Sequence, residues 1–185
     1  MNIESNSAGP TNGSGTKSFG FVLVIVAVAA AVLAMIIRGP VARTSLQGQP
    51  APPIEAAGWL NGPGPTPEEL HGKVIVLDAW AYWCGPCIAK APELVALHEK
   101  YREQGVVFLG LTIEGEDVDP YNRRFLDVTR ITWPNGYGAV KTLEALQADT
   151  IPRCWVIDRK YNVIWTESSR EKISTAIERA LAESP

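Results

Sequence analysis

The chain has 185 residues, 46% hydrophobic and 20% charged, an ordinary globular composition with room for one folded domain plus an appendage. Its formal net charge of -3 comes from acids and bases mixed along the sequence, without a basic stripe interleaved with aromatics, which argues against a nucleic-acid partner. Three cysteines, Cys84, Cys87 and Cys154, are too few for a disulfide-dense secreted scaffold and cannot all pair within one monomer.

Residues 1–18 are rich in Ser, Gly, Asn and Thr, a composition that buries too little apolar surface to offset chain entropy, and are read as a disordered tail. From Phe19 to Ile37 the sequence carries no charge. As a helix rising ~1.5 Å per residue this run reaches about 28 Å, the depth of a bilayer's hydrocarbon core, and it is read as a single N-terminal transmembrane helix. A cleaved signal peptide is the alternative, but the run exceeds the usual apolar region of ~7–15 residues and no small-x-small site follows Ile37. Lys17 flanks one end and Arg38 and Arg43 the other, so the positive-inside count alone does not orient it. A Pro/Gly-rich linker is expected over 38–50 and the folded domain over 51–185.

Within that domain, Trp59 and Leu60 suggest a short strand among the prolines, and Thr66-Pro67-Glu68-Glu69 a capped helical turn. The apolar run from Lys73 to Ala81 predicts a central strand buried on both faces. A helix should run from about Pro86 to Gln104, with Ile88, Ala91, Leu94, Leu97 and Tyr101 on one side and Pro92 kinking it. Val106–Ile113 reads as a second buried strand and Asp119–Arg130 as a helix. The stretch Trp133–Gly138 reads as turn, and Val140–Gln147 as a short helix. Cys154–Asp158 and Asn162–Thr166 read as two strands around a turn, and Ser169–Ala182 as the closing helix. Alternating strands and helices indicate an α/β sandwich whose last hairpin is antiparallel.

Chemistry concentrates in Trp83-Cys84-Gly85-Pro86-Cys87. Where a buried strand ends and a helix begins, the first sulfur sits at the helix N-terminus, where unpaired N–H groups and the helix dipole stabilise a thiolate. Cys84 is therefore expected to be the nucleophile, and Cys87, in the first turn, the thiol that resolves a mixed disulfide. Half a zinc site or a static disulfide are the bland alternatives. Zinc needs about four ligands, and His71 and His98 lack paired spacing.

The run from Asp78 to Cys87, with Pro92 downstream and Ile151-Pro152 late in the chain, closely resembles thioredoxin over roughly Pro50 to Ser184. The apolar N-terminal run, the Gly-Lys before the central strand and the long stretch between Ile113 and Thr150 make it similar to the membrane-tethered TlpA-like branch. The resemblance implies a thioredoxin fold with a central mixed sheet flanked by helices. It also implies reduction of specific protein disulfides outside the cytoplasmic membrane, for instance in cytochrome c or copper-protein maturation. It further implies that Pro152 is cis against the dithiol and that the Ile151 backbone pairs with substrate. Two positions depart from the branch: Asp78 stands where asparagine is common, and Lys90 stands where a glutamate follows the motif.

Asp78 falls mid-way along an apolar strand, where desolvation should raise its pKa and fit it to take the Cys87 proton, the role credited to the matching thioredoxin aspartate. Trp83 and Pro86 should shape the rim contacted by substrate. Arg153 is either a cation that favours the Cys84 thiolate or a solvated surface arginine. Cys154 is either a third thiol of the site or a small core hydrophobe. Trp80 reads as core, and His71 and His98 as loop and helix-flank residues.

The expected activity is thiol–disulfide exchange with disulfide-bearing client proteins, supplied by a membrane or soluble thiol electron donor. No metal and no organic cofactor are called for. Gly85-Pro86 places no cation between the cysteines, so a reducing potential is expected. With the domain on the extracytoplasmic (periplasmic) side, the N-terminus lies inside. A peroxiredoxin-like enzyme would want a Pro-x-x-x-Thr-x-x-Cys loop, absent here, and a copper-delivery module a third soft or imidazole ligand near the pair.

Overall fold

The computed structural model describes residues 24–34 and 45–183. Two compact units divide at Thr44/Ser45. In the first, residues 24–34 form a helix, α1, whose valines, Ile25 and Leu33 are exposed. The expected tail 1–18, the ends of the apolar run 19–37 and residues 38–44 of the expected linker lie outside the described residues. Among the described residues no helix is long and apolar enough to cross a membrane.

The second unit is built on a six-stranded mixed sheet of order β1-β4-β3-β2-β5-β6. Its strands are β1 (Gly58–Leu60), β2 (Val74–Ala79), β3 (Val106–Leu111), β4 (Asn135–Tyr137), β5 (Arg153–Ile157) and β6 (Val163–Thr166). β2 lies at the centre, parallel to β3 and antiparallel to β5, and all six of its residues are buried. Its unbroken Val-Ile-Val-Leu sequence follows from helices or chain covering both faces, each of these side chains contributing ~1.5–3 kcal/mol by leaving water.

Side chains alternate between two cores. Val74 and Val76 of β2, with Cys154 and Val156 of β5, face a cluster shared with the helices α3 (Gly85–Tyr101), α4 (Asp119–Thr129) and α6 (Ile173–Ala182). Ile75 and Leu77, with Trp155 and Ile157, face the other side, covered by the helices α2 (Pro67–Leu70) and α5 (Val140–Ala145) and by the segment leading into β1. That segment is engaged from its start: the Gly48 N–H donates to the Val163 carbonyl at 2.7 Å and the Ala51 N–H to that of Tyr161 at 2.8 Å.

α2 begins with the expected cap. Thr66 Oγ1 accepts from the Glu69 N–H and the Glu69 carboxylate accepts from the Thr66 N–H, closing a capping box. α3 runs through Pro92 and buries Cys87, Ala91, Leu94 and Tyr101, then tightens into a 3-10 turn that ends at Gly105 with φ +85°.

Two sequence expectations are corrected. Ile88, assigned to the buried side of α3, is 44% exposed. The buried stripe starts from Cys87, and the next residue turns about 100° around the helix. The turn-rich stretch after Trp133 contains strand β4, which pairs parallel with β3 and antiparallel with β1. Three residues rich in Asn and Gly carry no alternation that would reveal a strand. They are held by β-neighbours far away in sequence.

Candidate active site

β2 delivers the chain to the site. Beyond Ala79 the Trp80 N–H donates to the Leu111 carbonyl at 3.1 Å, so the backbone stays in register with β3 before turning away. Trp80 is core as expected: its ring stacks on Phe125 at 4.3 Å between centroids, and its indole N–H donates to Asn135 Oδ1 at 2.8 Å. A Cβ on Gly110 would run into that asparagine, so the glycine in β3 makes room for the pair.

Cys84 caps α3. Its backbone is extended, φ -83° and ψ 96°, and its sulfur accepts from the Cys87 N–H at 3.1 Å, with Pro86 in the first turn where its missing N–H costs nothing. The two cysteines are joined as a disulfide, Cα atoms 5.2 Å apart. They are 3% and 4% exposed, so burial does not tell them apart. The difference lies in position: only Cys84 receives a helix N–H on its sulfur, the group that would hold a thiolate after reduction.

Asp78 is 6% exposed and faces the same side of the sheet as the cysteines, beside Cys154, its Cα partner across the β2–β5 ladder. Cys154 Sγ lies 3.4 Å from Asp78 Oδ1 as a thiol donor. Burial pushes the Asp78 carboxyl up to about 6, against the pull of that thiol and of the Lys90 charge. A group poised there can exchange a proton near neutral pH. Burial, with the facing Asp78 carboxylate, drives the Cys154 thiol well above its ordinary pKa, so it is a neutral donor and not a thiolate.

The rim is apolar. Trp83 is 62% exposed, and its indole N–H donates to Glu114 Oε1 at 2.8 Å. Tyr82 stacks on Tyr121 nearby in the chain's fold, and Ile88 and Ile113 are also exposed. A cleft of about 170 Å³ opens among Trp83, Ala81, Ile113, Leu143 and Ile151. The peptide bond between Ile151 and Pro152 is cis. A larger cleft, about 500 Å³ among Pro53, Leu70, His71 and Tyr161, lies at the other end of β2 and touches none of these groups.

Residues 46–181 match the Redoxin family. The chain belongs to that family.

This Redoxin has a named thiol-disulfide oxidoreductase among its relatives. It is 35% identical over 68 residues to thiol-disulfide oxidoreductase ResA of Oceanobacillus iheyensis, covering 36% of this chain and 33% of ResA. It is 28% identical over 124 residues to protein FixW of Rhizobium leguminosarum, covering 60% of this chain and 56% of FixW. The chain thus spans about a third to a half of these relatives' lengths. Solved structures show the same thioredoxin-like fold. A thiol-disulfide isomerase from Corynebacterium glutamicum superposes with a TM-score of 0.64 at 21% identity, covering 74% of this chain and 99% of that one. A thiol:disulfide interchange protein from Chlorobium tepidum superposes with a TM-score of 0.60 at 21% identity, over 73% and 99%.

Of the residues singled out in the sequence of this Redoxin, Cys84, Cys87 and Asp78 share one face of the sheet. Trp83 and Pro86 lie at the exposed start of α3, and Ile151 lines the cleft. Arg153 goes elsewhere. Strand alternation turns it with Trp155 toward the second core, and its guanidinium lies 5.9 Å from the Trp155 ring centroid. Glu114, Tyr121 and Glu167 carry no motif that marks them in the sequence. Each reaches the site from a distant segment, and only Lys90, out of keeping with its branch, hinted at an altered charge arrangement.

Proposed function

We propose that this Redoxin is a thiol–disulfide oxidoreductase that reduces client-protein disulfides through Cys84 and Cys87. The observation that carries this reading is a redox-competent cysteine pair at the cap of α3, facing the same core as a buried carboxyl held near pH 6. The Cys84 thiolate attacks a client disulfide, forming a mixed disulfide and releasing one client thiolate, which takes a proton from water. Cys87 then gives its proton to Asp78 and attacks the Cys84 sulfur, releasing the second client thiolate. Two electrons pass from the dithiol to the client. A thiol donor restores the dithiol by the same exchange, and Asp78 returns its proton to solvent.

The apolar rim of Trp83, Ile113 and Ile151 supports contact with an extended client segment beside the dithiol, with the Ile151 backbone as the pairing edge. The charge-free run 19–37 supports a single-pass anchor with the N-terminus inside and the redox domain on the extracytoplasmic side, where client disulfides form. Resemblance of the sequence to the TlpA-like branch supports clients in cytochrome c or copper-protein maturation.

Reduction of insulin by the full-length protein, with dithiothreitol as donor, tests the chemistry. Wild type accelerates the reaction, Cys84→Ser abolishes it, and Cys87→Ser accumulates mixed disulfides. A wild-type rate equal to that of Cys84→Ser overturns the reading. A reduction potential near that of thioredoxin, about -270 mV, is expected, whereas one near -120 mV, as in strong oxidants, would reverse the direction.

A further inference from the structure

Four residues from four segments are linked by hydrogen bonds on the side of the sheet that the dithiol faces. Asp78 comes from β2 and Cys154 from β5. Lys90 comes from α3, three residues beyond Cys87, and Glu167 from the residue after β6. Both Glu167 carboxylate oxygens accept from Lys90 Nζ, at 2.6 and 2.7 Å. Glu167 Oε2 also accepts from the Cys154 N–H at 3.3 Å, and the Cys154 thiol in turn donates a hydrogen bond to Asp78 Oδ1. The side chain of Lys90 is only 15% exposed.

On the other flank of β2, the Cα partner of Asp78 is Gly110, which brings no side chain. The charged and titratable groups facing Asp78 are therefore Cys154 from β5, Lys90 from α3 and Glu167 beyond β6. Lys90 is the cation among them. An exposed Lys–Glu pair held at one oxygen would contribute little; here Lys90, its side chain mostly buried, is held at two oxygens by a Glu167 that is 43% exposed.

We propose that Lys90, clamped by Glu167, is a positioning residue that sets the charge facing Asp78 and thereby the readiness of Asp78 to take the Cys87 proton during resolution. This rests on the oxidoreductase reading above. The two members of the clamp act on Asp78 with opposite sign. Lys90 favours the carboxylate, while Glu167 and burial favour the neutral acid. Burial works against the Lys90 ammonium as well, yet the carboxylates of Glu167 and Asp78 favour it, and the net direction is upward. Loss of Lys90 removes the favourable charge and leaves Glu167 without its counter-ion. Loss of the Glu167 charge does the reverse.

The test is a titration of the Asp78 carboxyl by carbon-13 NMR in the full-length oxidised protein, which needs neither client nor turnover. In Lys90→Met the midpoint moves up from about 6, by about one unit, and in Glu167→Gln it moves down. Lys90→Arg restores the wild-type midpoint, and Lys90→Met with Glu167→Gln brings it back toward wild type. A one-unit rise cuts the ionised fraction of Asp78 at pH 6 about fivefold, so release of a preformed Cys84 mixed disulfide slows about fivefold at pH 6 and little at pH 8. Unchanged midpoints in both single variants, or movement in the same direction in both, overturn the proposal. The second pattern would mark a purely structural clamp. If Lys90→Met does not fold, Lys90→Gln takes its place. Wild type inactive on insulin, with the midpoints moving as stated, would instead sink the oxidoreductase reading and leave the electrostatic assignment standing.

Discussion

Cys154 Sγ stands 3.4 Å from Asp78 Oδ1, directly across the β2–β5 ladder, so the third cysteine of the chain is the immediate hydrogen-bond donor to the buried carboxyl on the dithiol's side of the sheet. It is neither a bare core filler nor a thiolate. Replacing it by Ala removes a donor that favours the ionised acid, and the Asp78 titration midpoint should rise above about 6. Cys154→Ser, which keeps a donor, should stay closer to wild type. Carboxyl titration by NMR checks both.

The same burial governs Cys154 reactivity. With Cys84 and Cys87 joined, a thiol reagent at pH 8 should find no reactive thiol in the native protein and one after unfolding in guanidinium. Rapid labelling of one thiol in the native oxidised state would contradict the buried placement.

Asp78 links stability to pH. Its folded pKa of about 6 lies above the ordinary value of 3.8 for an exposed aspartate, so between these values the native state binds more protons than the unfolded chain. Its contribution is most favourable below about pH 4 and is lost as pH rises through 6. Asp78→Asn removes this penalty, and at pH 7 it should be more stable than wild type by up to about 3 kcal/mol, with the gap closing at pH 4. The same variant should slow mixed-disulfide resolution at least about tenfold at pH 7. Denaturant unfolding at the two pH values and single-turnover kinetics provide the measurements.

Trp83 and Glu114 form a fixed edge beside the dithiol. Trp83→Ala should raise KM for a protein substrate severalfold and leave the rate with a small disulfide such as oxidised glutathione unchanged. Glu114→Ala, which frees the indole by removing one exposed hydrogen bond, should have the smaller effect, about 0.5–1.5 kcal/mol at most. Steady-state kinetics with insulin and with the small disulfide separates these outcomes.

Asn135 satisfies the buried Trp80 indole and is held in turn by donating through Nδ2 to the Trp133 carbonyl at 2.7 Å. Asn135→Ala strands the indole N–H and should cost about 1–3 kcal/mol. Gly110→Ala should destabilise through the same pair, since its Cβ displaces the asparagine. Urea midpoints report both.

The features legible in the residues alone are local. The Val-Ile-Val-Leu run of β2, the cysteine pair at the start of α3, the Thr66 capping box and the final antiparallel hairpin could be read because each depends on neighbours a few residues away. The same is true of Asp78, because a carboxyl inside a doubly buried strand has nowhere to go but the interior.

Tertiary structure decided what needs distant partners. β4 is a strand only because β1 and β3 flank it, and Arg153 lies over Trp155 because the pairing of β5 fixes which face each residue takes. The Lys90–Glu167 pair joins residues 77 positions apart, and the contact of Cys154 with Asp78 joins residues 76 apart. Sequence shows that a dithiol and an acid are present. The charges that set the acid's proton affinity act through space, and their arrangement exists only once β2, β5, α3 and the end of β6 have packed together.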